Sequence, residues 1–215
     1  MLRRGQSFFQ ASGDYGAYYQ GVPQWADDPY ITIVGGTALT TTGPKGSWVS
    51  ETVWNNGVQI GSPGKGSGGG TSAVYTIPSW QQGINMSANG GSTTMRNIPD
   101  VAMVADQVWV VWNQTEHGPW SGTSIAAPLW AGFTALVNEQ AAADCKASAG
   151  FINPAIYAIG GGASYSGCFH DITNGNNNTL LFGPGFNAAS GYDLCAGWGT
   201  PTGGTLMNAI NALSV

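Results

Sequence analysis

The sequence predicts an α/β domain in which strands and helices form layers, and three features support this class. Residues 30–34 form a β-branched run closed by two glycines, which is typical of a buried strand. The segments 99–104 and 107–112 have the composition of two further strands. After Ser121, apolar residues recur at helical spacing over about four turns: Ile125, Leu129, Trp130, Phe133, Leu136 and Val137. A long amphipathic helix that follows buried strands indicates a layered α/β arrangement.

The rest of the chain is predicted to contain fewer regular elements. Strands are expected at residues 6–11 and around 49–54, and the remainder of 41–72 is expected to be loop because it is rich in Gly, Ser, Thr and Pro. After residue 149 the chain is predicted to be irregular until an amphipathic segment at 205–213. No internal repeat or biased linker divides the sequence, so residues 1–215 are predicted to belong to a single domain.

The first five residues, Met-Leu-Arg-Arg-Gly, are typical of the last turn of a helix with a glycine stop. We therefore expect a further part of the domain to precede them. They lack the apolar core of a signal peptide, and no apolar run approaches the roughly 20 residues that cross a bilayer. Taken alone, this predicts a cytoplasmic protein without a membrane anchor.

The composition argues against one class of partner and favours an acidic environment. Only 8% of the residues are charged, against roughly 25% in ordinary soluble domains, and the net charge is -5. Because phosphate contacts need clustered basic residues, nucleic acid is not expected as a partner. A surface built from uncharged polar groups does not depend on carboxylate ion pairs, which are lost in acid.

Three cysteines leave one thiol unpaired if a single disulfide forms. Cys168 and Cys195 flank the aspartate loops described below and are the expected pair, with Cys145 left over. Three buried thiols are the alternative.

The segment 121–128, Ser-Gly-Thr-Ser-Ile-Ala-Ala-Pro, places Ser124 where the long helix is predicted to begin. Backbone N–H groups without intrahelical partners and the positive end of the helix dipole stabilise an alkoxide and an oxyanion at this position. Gly122 allows a substrate backbone to approach, and Pro128 is expected in the first turn, where its missing N–H costs little. Ser124 is therefore a candidate nucleophile. The alternative is that this serine or a neighbouring hydroxyl only caps the helix.

A serine nucleophile needs a base, and the chain contains two histidines. His117 lies only seven residues before Ser124 and His170 belongs to a different motif, so a Ser-His-Asp arrangement is poorly supported and structural roles are expected for both. A second candidate is Asp14, in a tight turn after a predicted strand, because active sites of open α/β sheets gather at strand ends. An ordinary Asx-turn is the alternative.

Two further carboxylates, Asp171 and Asp193, lie about twenty residues apart and enclose a loop rich in Asn and Gly. Carboxylates together with main-chain carbonyl oxygens are the ligands that a hard cation such as calcium requires. By spacing alone, two solvated loop aspartates are equally consistent.

Taken together, these segments resemble the sedolisin family, the serine-carboxyl peptidases with a subtilisin-like fold. The matching stretches occur in family order along the whole chain: residues 12–14, 29–37, 51–55, 68–70, 78–81, 99–102 and 121–128, then the two aspartate loops. The resemblance implies a mainly parallel sheet flanked by helices. It also implies that residues 1–215 are the C-terminal part of one peptidase domain whose N-terminal portion is missing.

The resemblance also implies roles for the candidate residues. Ser124 corresponds to the nucleophile and Asp14 to the aspartic acid of the oxyanion hole. A carboxyl group donates a hydrogen bond only when it is protonated, so this role implies activity in acid.

The family's structural calcium ion is implied within the region of about 165–200. The resemblance gives it the carboxylates of Asp171 and Asp193, and the main-chain carbonyls of Ile172, Ala189 and Gly191. The family commonly has glycine at the position of Ala189, a change that a carbonyl ligand tolerates.

The family's general base is a glutamate oriented by an aspartate four residues later, a spacing that places both on one helical face. None of Glu51, Glu116 and Glu139 is followed by such an aspartate. We expect the base pair to lie upstream of this sequence, and a chain without peptidase activity is the alternative.

The expected function is that of a secreted serine endopeptidase, acting as a monomer on peptides or proteins at acidic pH. The isolated chain would then be an inactive fragment. A secreted, calcium-stabilised homologue that binds peptides without cleaving them is the alternative function.

Overall fold

A computed structural model describes residues 5–58, 64–86, 89–180, 183 and 185–213. The strands in chain order are β1 (Phe9–Ala11), β2 (Tyr15–Val22), β3 (Thr32–Thr41), β4 (Trp48–Val53), β5 (Gly66–Thr76), β6 (Met95–Ile98), β7 (Val101–Val104), β8 (Val108–Trp112), β9 (Thr115–Trp120), β10 (Phe169–His170) and β11 (Thr200–Pro201). The helices are α1 (Thr123–Ala143), α2 (Asn153–Gly160), α3 (Tyr165–Cys168) and α4 (Gly204–Leu213). The helix end predicted at residues 2–4 lies outside the described residues.

The central sheet is built around β3. Strands β1 and β7 pair with β3 in parallel, and β4 pairs with its second half antiparallel. Because β1, β3 and β7 run in one direction, the segments that leave β1 and β7 emerge at the same edge. The predicted α/β class is confirmed, although the sheets are mixed rather than mainly parallel.

Helix α1 packs on β1, β3 and β7, and its indole Trp130 Nε1 donates a hydrogen bond to the Ala102 carbonyl of β7 at 2.7 Å. The predicted apolar face is only partly correct, because Leu129 and Leu136 are 40% and 52% exposed. The buried face carries small side chains that let the helix lie close to the sheet: Thr123, Ala126, Ala127, Thr134 and Ala141, with Trp130 and Val137.

Pro128 also departs from its predicted place. It lies in the second turn of α1 rather than the first. Since proline has no backbone N–H, it cannot supply the i+4 donor to the carbonyl of Ser124.

A second sheet corrects the prediction of loop at 41–72. Strand β5 pairs in parallel with β2 and antiparallel with β6, and it contains the glycine run. A β-carbon on Gly68 would stand 2.4 Å from the Ser12 carbonyl oxygen, and one on Gly69 would stand 1.7 Å from that of Leu194. The glycines therefore serve close backbone packing in a buried strand.

The segment after residue 149 is more regular than predicted, since it contains α2 and α3. Tyr157 of α2 donates a hydrogen bond to Asp100 Oδ1 at 2.8 Å. Asp100 is fully buried, and it accepts two hydrogen bonds from Arg96 and one from the Ile33 N–H. Burial alone lowers the pKa of Arg96, but the charge and hydrogen bonds of Asp100 outweigh it and raise that pKa. This buried pair ties α2 to the central sheet.

The expected disulfide is wrong, because all three cysteines are free. Cys168 and Cys195 belong to different buried clusters, and Cys145 is exposed. Burial raises the pKa of both buried thiols. No helix within the described residues is long and apolar enough to cross a membrane.

Candidate active site

Ser124 and Asp14 lie together at the edge where β1 and β7 end. Ser12, directly after β1, donates its N–H to the Val34 carbonyl at 2.9 Å. Gly122, directly before α1, donates its N–H to the Ala105 carbonyl at 2.8 Å. Two strand ends thus fix the Asp14 turn and the start of α1, and Ser124 is the second residue of that helix, with an exposed side chain.

The N-terminus of α1 is capped by the side chain of Asp14, which is distant in the sequence. Asp14 Oδ1 accepts hydrogen bonds from the N–H and the hydroxyl of Thr123, each at 2.8 Å. The Thr123 hydroxyl oxygen in turn accepts a hydrogen bond from the Gly13 N–H at 3.1 Å. The local cap considered above is not formed: Gly122 occupies the N-cap position, and no side chain at that position caps the helix.

Gly122 lies close to both the second carboxyl oxygen of Asp14 and the serine hydroxyl. A β-carbon on Gly122 would stand 3.1 Å from Asp14 Oδ2 and 3.0 Å from Ser124 Oγ. The two oxygens are therefore no farther apart than the sum of these distances. A side chain at this position would crowd both oxygens, so glycine keeps this space open.

The turn that carries Asp14 is held on several sides. The Gly66 N–H binds the Asp14 carbonyl at 2.9 Å, and the Tyr18 hydroxyl donates to the Ser12 carbonyl at 2.9 Å. Gly13 has φ +109, and a β-carbon there would stand 1.9 Å from the Tyr18 hydroxyl. Burial, with a smaller effect from the charge of Asp14, raises the pKa of Tyr18 to about 12. These contacts fix the carboxyl group of Asp14 toward Ser124.

Two open pockets meet at Ser124. One, of about 310 Å³, is lined by Asp14 and by aromatic side chains that include Tyr15, Tyr18 and Trp25. The other, of about 300 Å³, is lined by Val110, Trp112, Trp120, Ser121, Ser124 and Ile125. Trp112 and Trp120 are 60% and 58% exposed, so the second pocket presents two indole rings beside the serine.

No histidine or glutamate among the described residues acts on Ser124. His117 lies against the Trp112 ring at 4.6 Å, and His170 stacks on Trp48 at 4.2 Å. Glu51 accepts hydrogen bonds from the Thr37 hydroxyl and the Trp48 indole. Within the described chain, Ser124 Oγ makes no hydrogen bond with an imidazole or a carboxylate, so no Ser-His-Asp arrangement is formed there.

Asp171 and Asp193 both bind the loop of residues 189–191. Asp171 accepts hydrogen bonds from the Gly191 N–H at 3.1 and 3.2 Å. Asp193 Oδ2 accepts the Ala189 N–H at 2.9 Å, and its Oδ1 accepts the N–H groups of Cys195 and Ala196 at 2.8 and 2.9 Å. The structure thus places Asp171 and Asp193 beside the loop that contains Ala189 and Gly191, and Ile172 directly follows Asp171 in the sequence.

The donor set of this loop fits a calcium ion. Among the described residues, the carbonyl oxygens of Ile172, Ala189 and Gly191 accept no hydrogen bond. The neighbouring carbonyls of Tyr192 and Leu194, in contrast, accept one each from asparagine side chains. Three free carbonyls beside two carboxylates are suitable ligands for a hard cation.

The charges around this loop also favour a bound cation. Burial raises the pKa of Asp193 to about 7, against the lowering effect of its three N–H donors, and the charge of Asp171 raises it further. Burial and Asp171 likewise raise the pKa of Tyr165. The sequence contains no Lys or Arg after Lys146 that could offset these carboxylates. Because no cluster of three His, Cys, Asp or Glu occurs in the described chain, a cation here would depend on two carboxylates and carbonyls.

Comparisons with known proteins agree with this architecture, although no family model matches the sequence. Kumamolisin of Bacillus sp. (strain MN-32) is 35% identical over 218 residues, which cover 96% of this chain and 36% of that protein. Sedolisin of Pseudomonas sp. (strain 101) is 33% identical over 92% of this chain and 33% of its own length. Tripeptidyl-peptidase 1 of Canis lupus familiaris is 32% identical over 96% of this chain and 38% of its length.

One solved structure extends the comparison to three dimensions. Pseudomonas sedolisin, a serine-carboxyl proteinase complexed with two molecules of pseudo-iodotyrostatin, superposes with a TM-score of 0.81 at 31% identity. The match covers 100% of this chain and 58% of that one. The described chain therefore has an α/β fold of the subtilisin-like kind. It belongs to the sedolisin family, and it spans about a third of the length of the curated relatives it matches.

Sequence reasoning missed two groups around Asp14. Thr123 was considered only as a local cap, although its position directly before Ser124 places it at the helix start. Tyr18 carried no signal, because its contact with the Ser12 carbonyl depends on how β2 folds back. The indole-lined pocket carried no local signal, because residues 107–112 do not alternate between apolar and polar side chains and Trp120 comes from a second strand.

Proposed function

We propose that this chain is the C-terminal part of the catalytic domain of a serine endopeptidase that cleaves peptide bonds at acidic pH through Ser124. The observation that carries the proposal is that Asp14 Oδ2 and Ser124 Oγ both lie about 3 Å from one point, the position of a β-carbon on Gly122. An exposed serine hydroxyl, a nearby carboxyl oxygen and two adjoining pockets are the parts that acyl transfer to serine requires besides a general base. Membership of the sedolisin family supports the same reaction.

The first half of the reaction forms an acyl-enzyme. Ser124 Oγ attacks the carbonyl carbon of the scissile peptide bond while its proton passes to a general base. The carbonyl oxygen becomes an oxyanion, which accepts hydrogen bonds from protonated Asp14 and from the Ser124 N–H, a first-turn group with no intrahelical partner. The C–N bond then breaks, the amine leaves with a proton from the base, and Ser124 carries the acyl group as an ester.

The second half restores the serine. A water molecule gives a proton to the base and attacks the ester carbon. The carboxylic acid product leaves as Ser124 Oγ regains its proton. The proposed base is the glutamate of the family's Glu-x-x-x-Asp pattern, a pattern that this sequence does not contain.

Acid dependence follows from the chemistry of Asp14. A carboxylate has no proton to donate, and its charge repels an oxyanion. The proposed role of this carboxyl group therefore predicts activity in acid. A histidine base would be charged under such conditions, whereas a carboxylate base can still accept a proton.

We also propose that one structural calcium ion binds Asp171 and Asp193 with the main-chain carbonyls of Ile172, Ala189 and Gly191. The support is the fit of the loop: two mutually repelling carboxylates, no basic residue after Lys146, and three carbonyls that accept no hydrogen bond in the described chain. A bound ion would offset both charges and hold residues 189–193 against the end of β10. It contributes stability rather than a step of the reaction.

The proposed setting is extracellular, with a monomeric enzyme acting on peptides or proteins. The sparse charge suits an acidic medium. Nucleic acid and membrane surfaces are not proposed as partners, because the sequence has six Lys and Arg in total.

A second candidate function is peptide binding without cleavage in a calcium-stabilised protein. The observation in its favour is that Ser124 has no base among the described residues. The two pockets beside Ser124 would then hold a peptide that is not cut.

One experiment separates the two functions. The protein expressed from its full open reading frame is incubated with a denatured protein substrate at pH 3–5, beside its Ser124→Ala variant. We expect cleavage by the first and none by the second, with equal thermal stability. Saturable peptide binding without cleavage by either protein would favour the second function, and equal cleavage by both would refute the role of Ser124.

A further inference from the structure

The hydroxyl of Thr123 lies in a hydrogen-bond chain whose direction can be worked out. The chain runs from the Gly13 N–H to Thr123 Oγ1 at 3.1 Å, and from Thr123 Oγ1 to Asp14 Oδ1 at 2.8 Å. The first link has a fixed direction, because a backbone N–H can only donate. Thr123 Oγ1 therefore accepts from Gly13, and its own proton is available for Asp14.

Asp14 Oδ1 is accordingly an acceptor in two hydrogen bonds. The Thr123 N–H, at 2.8 Å, is an obligate donor to this oxygen. The Thr123 hydroxyl supplies the second donor, so both lone pairs of Oδ1 are occupied. Asp14 Oδ2, in contrast, accepts no hydrogen bond from the described residues and faces the space beside Ser124 Oγ.

The opposite protonation state would leave a polar group without a partner. If the proton of neutral Asp14 lay on Oδ1, it would have to point at Thr123 Oγ1, and the threonine proton would need another acceptor. The described residues offer it none, and Thr123 is completely buried. A buried hydroxyl without an acceptor is unfavourable, so this state is disfavoured.

We propose that Thr123 is a positioning residue that keeps the proton of Asp14 on Oδ2, where it can be donated to the oxyanion formed at Ser124. The inference rests on the proposed peptidase function and adds a role for a residue that does not touch the substrate. Thr123 sets which oxygen of the acid carries the proton; it does not itself exchange protons in the reaction.

The surroundings hold the threonine in this orientation. Its side chain lies against β3, since a β-carbon on Gly36 would stand 3.3 Å from Thr123 Cγ2. The other groups near Asp14 are Tyr18, whose pKa is affected by the charge of Asp14, and Lys65, which lies over the neighbouring Tyr15 ring at 4.0 Å. They are unchanged in the variants below, so differences among those variants report on the Thr123 hydroxyl.

The kinetic test compares Thr123→Val, which removes the hydroxyl, with Thr123→Ser, which keeps it and removes the methyl group. In the protein from the full reading frame, we expect Thr123→Val to lower kcat about ten- to a hundredfold, since Oδ1 loses one of the two donors that hold the protonated Oδ2 toward the oxyanion. KM should change less than about twofold, because uniform binding is unaffected. Thr123→Ser should retain most of the activity.

The pH profile gives a readout that a structural defect alone would not produce. Loss of a donor to the carboxylate favours its protonated form. The alkaline limb of the Thr123→Val profile should therefore move to higher pH even though kcat is lower. A profile that keeps its position, or equal losses in the Val and Ser variants, would overturn the proposal.

A spectroscopic test works on this chain without turnover. The C=O stretch of protonated Asp14, identified in acid as the infrared band missing from Asp14→Asn, should rise in frequency in Thr123→Val because the carbonyl loses a donor. An unchanged band would overturn the proposal.

Thr123→Ala serves if Thr123→Val does not fold, as judged by circular dichroism. If Ser124→Ala cleaves as fast as the unmodified protein, the peptidase function fails, while the infrared result still decides the proton's position.

Discussion

Asp14 and Asp193 are two aspartates that bind backbone N–H groups in the same chain, yet they are held in different ways. Asp193 is 1% exposed, and both of its oxygens accept N–H donors from its own loop. Asp14 is partly exposed, and only Oδ1 is used, by a residue 109 positions away. The difference separates a structural carboxylate from one available for chemistry. Asp193 uses both oxygens to hold its loop, whereas Asp14 keeps one oxygen free of partners among the described residues, beside a pocket.

The largest loss of stability is expected from a substitution of the buried carboxylate, Asp193. Asp193→Ala would leave three backbone N–H groups without an acceptor in a closed loop, at about 1–3 kcal/mol each. We expect the free energy of unfolding to fall by about 3 kcal/mol or more, measured by urea denaturation. Asp171→Ala is the matched control, because its partners Gly191 and Ser190 lie nearer the solvent. An Asp193→Ala protein as stable as the original would show that Asp193 is not a structural carboxylate.

A different kind of loss is expected at Asp14. Asp14→Ala removes an oxyanion donor, so kcat should fall about 10²–10³-fold in the protein from the full reading frame. Its stability should fall by only about 1 kcal/mol, which is the usual cost of losing a helix cap. Rate assays and thermal melts on one preparation give both numbers. Similar losses of stability for Asp14→Ala and Asp193→Ala would show that both carboxylates are primarily structural.

Removal of calcium is expected to lower the stability less than Asp193→Ala does, without a direct effect on the reaction. An ion present at a hundred times its dissociation constant stabilises the native state by about 2.7 kcal/mol. A chelator should lower the melting temperature of the original protein, whereas Asp171→Asn should already melt low and respond little. No response of the original protein to the chelator would refute the calcium site. A strong response of Asp171→Asn would place the ion elsewhere.

The parts that sequence reasoning predicted are those whose signals are local. The helix start at Ser124 follows from a glycine and small residues before an apolar stripe, and the strands at 30–34 and 99–104 follow from β-branched composition. The subtilisin-like α/β fold followed from many short stretches in family order. The two groups of site residues could therefore be named before their distances were known.

The parts that were missed depend on contacts between distant segments. The glycine run at 66–70 has the composition of a loop, and only the backbones of Ser12 and Leu194 pressing on it reveal a strand. Leu129 and Leu136 fit an apolar stripe, but the sheet selected the face with small residues. Helix α2 was a local oversight, because Asn153 followed by proline is a recognisable helix start. The pairing of Cys168 with Cys195 was inferred from flanking positions, which do not determine distance.

The glycine strand β5 links the two regions compared above. Its residue Gly68 meets the backbone of the Asp14 turn on one side, and Gly69 meets the carbonyl of Leu194, next to Asp193, on the other. Strand β5 thus lies between the turn that carries Asp14 and the segment that carries Asp193. A methyl group at either glycine would clash with one of these two backbones and push it away from β5. The glycines at positions 68 and 69 therefore set how closely the two regions pack on this strand.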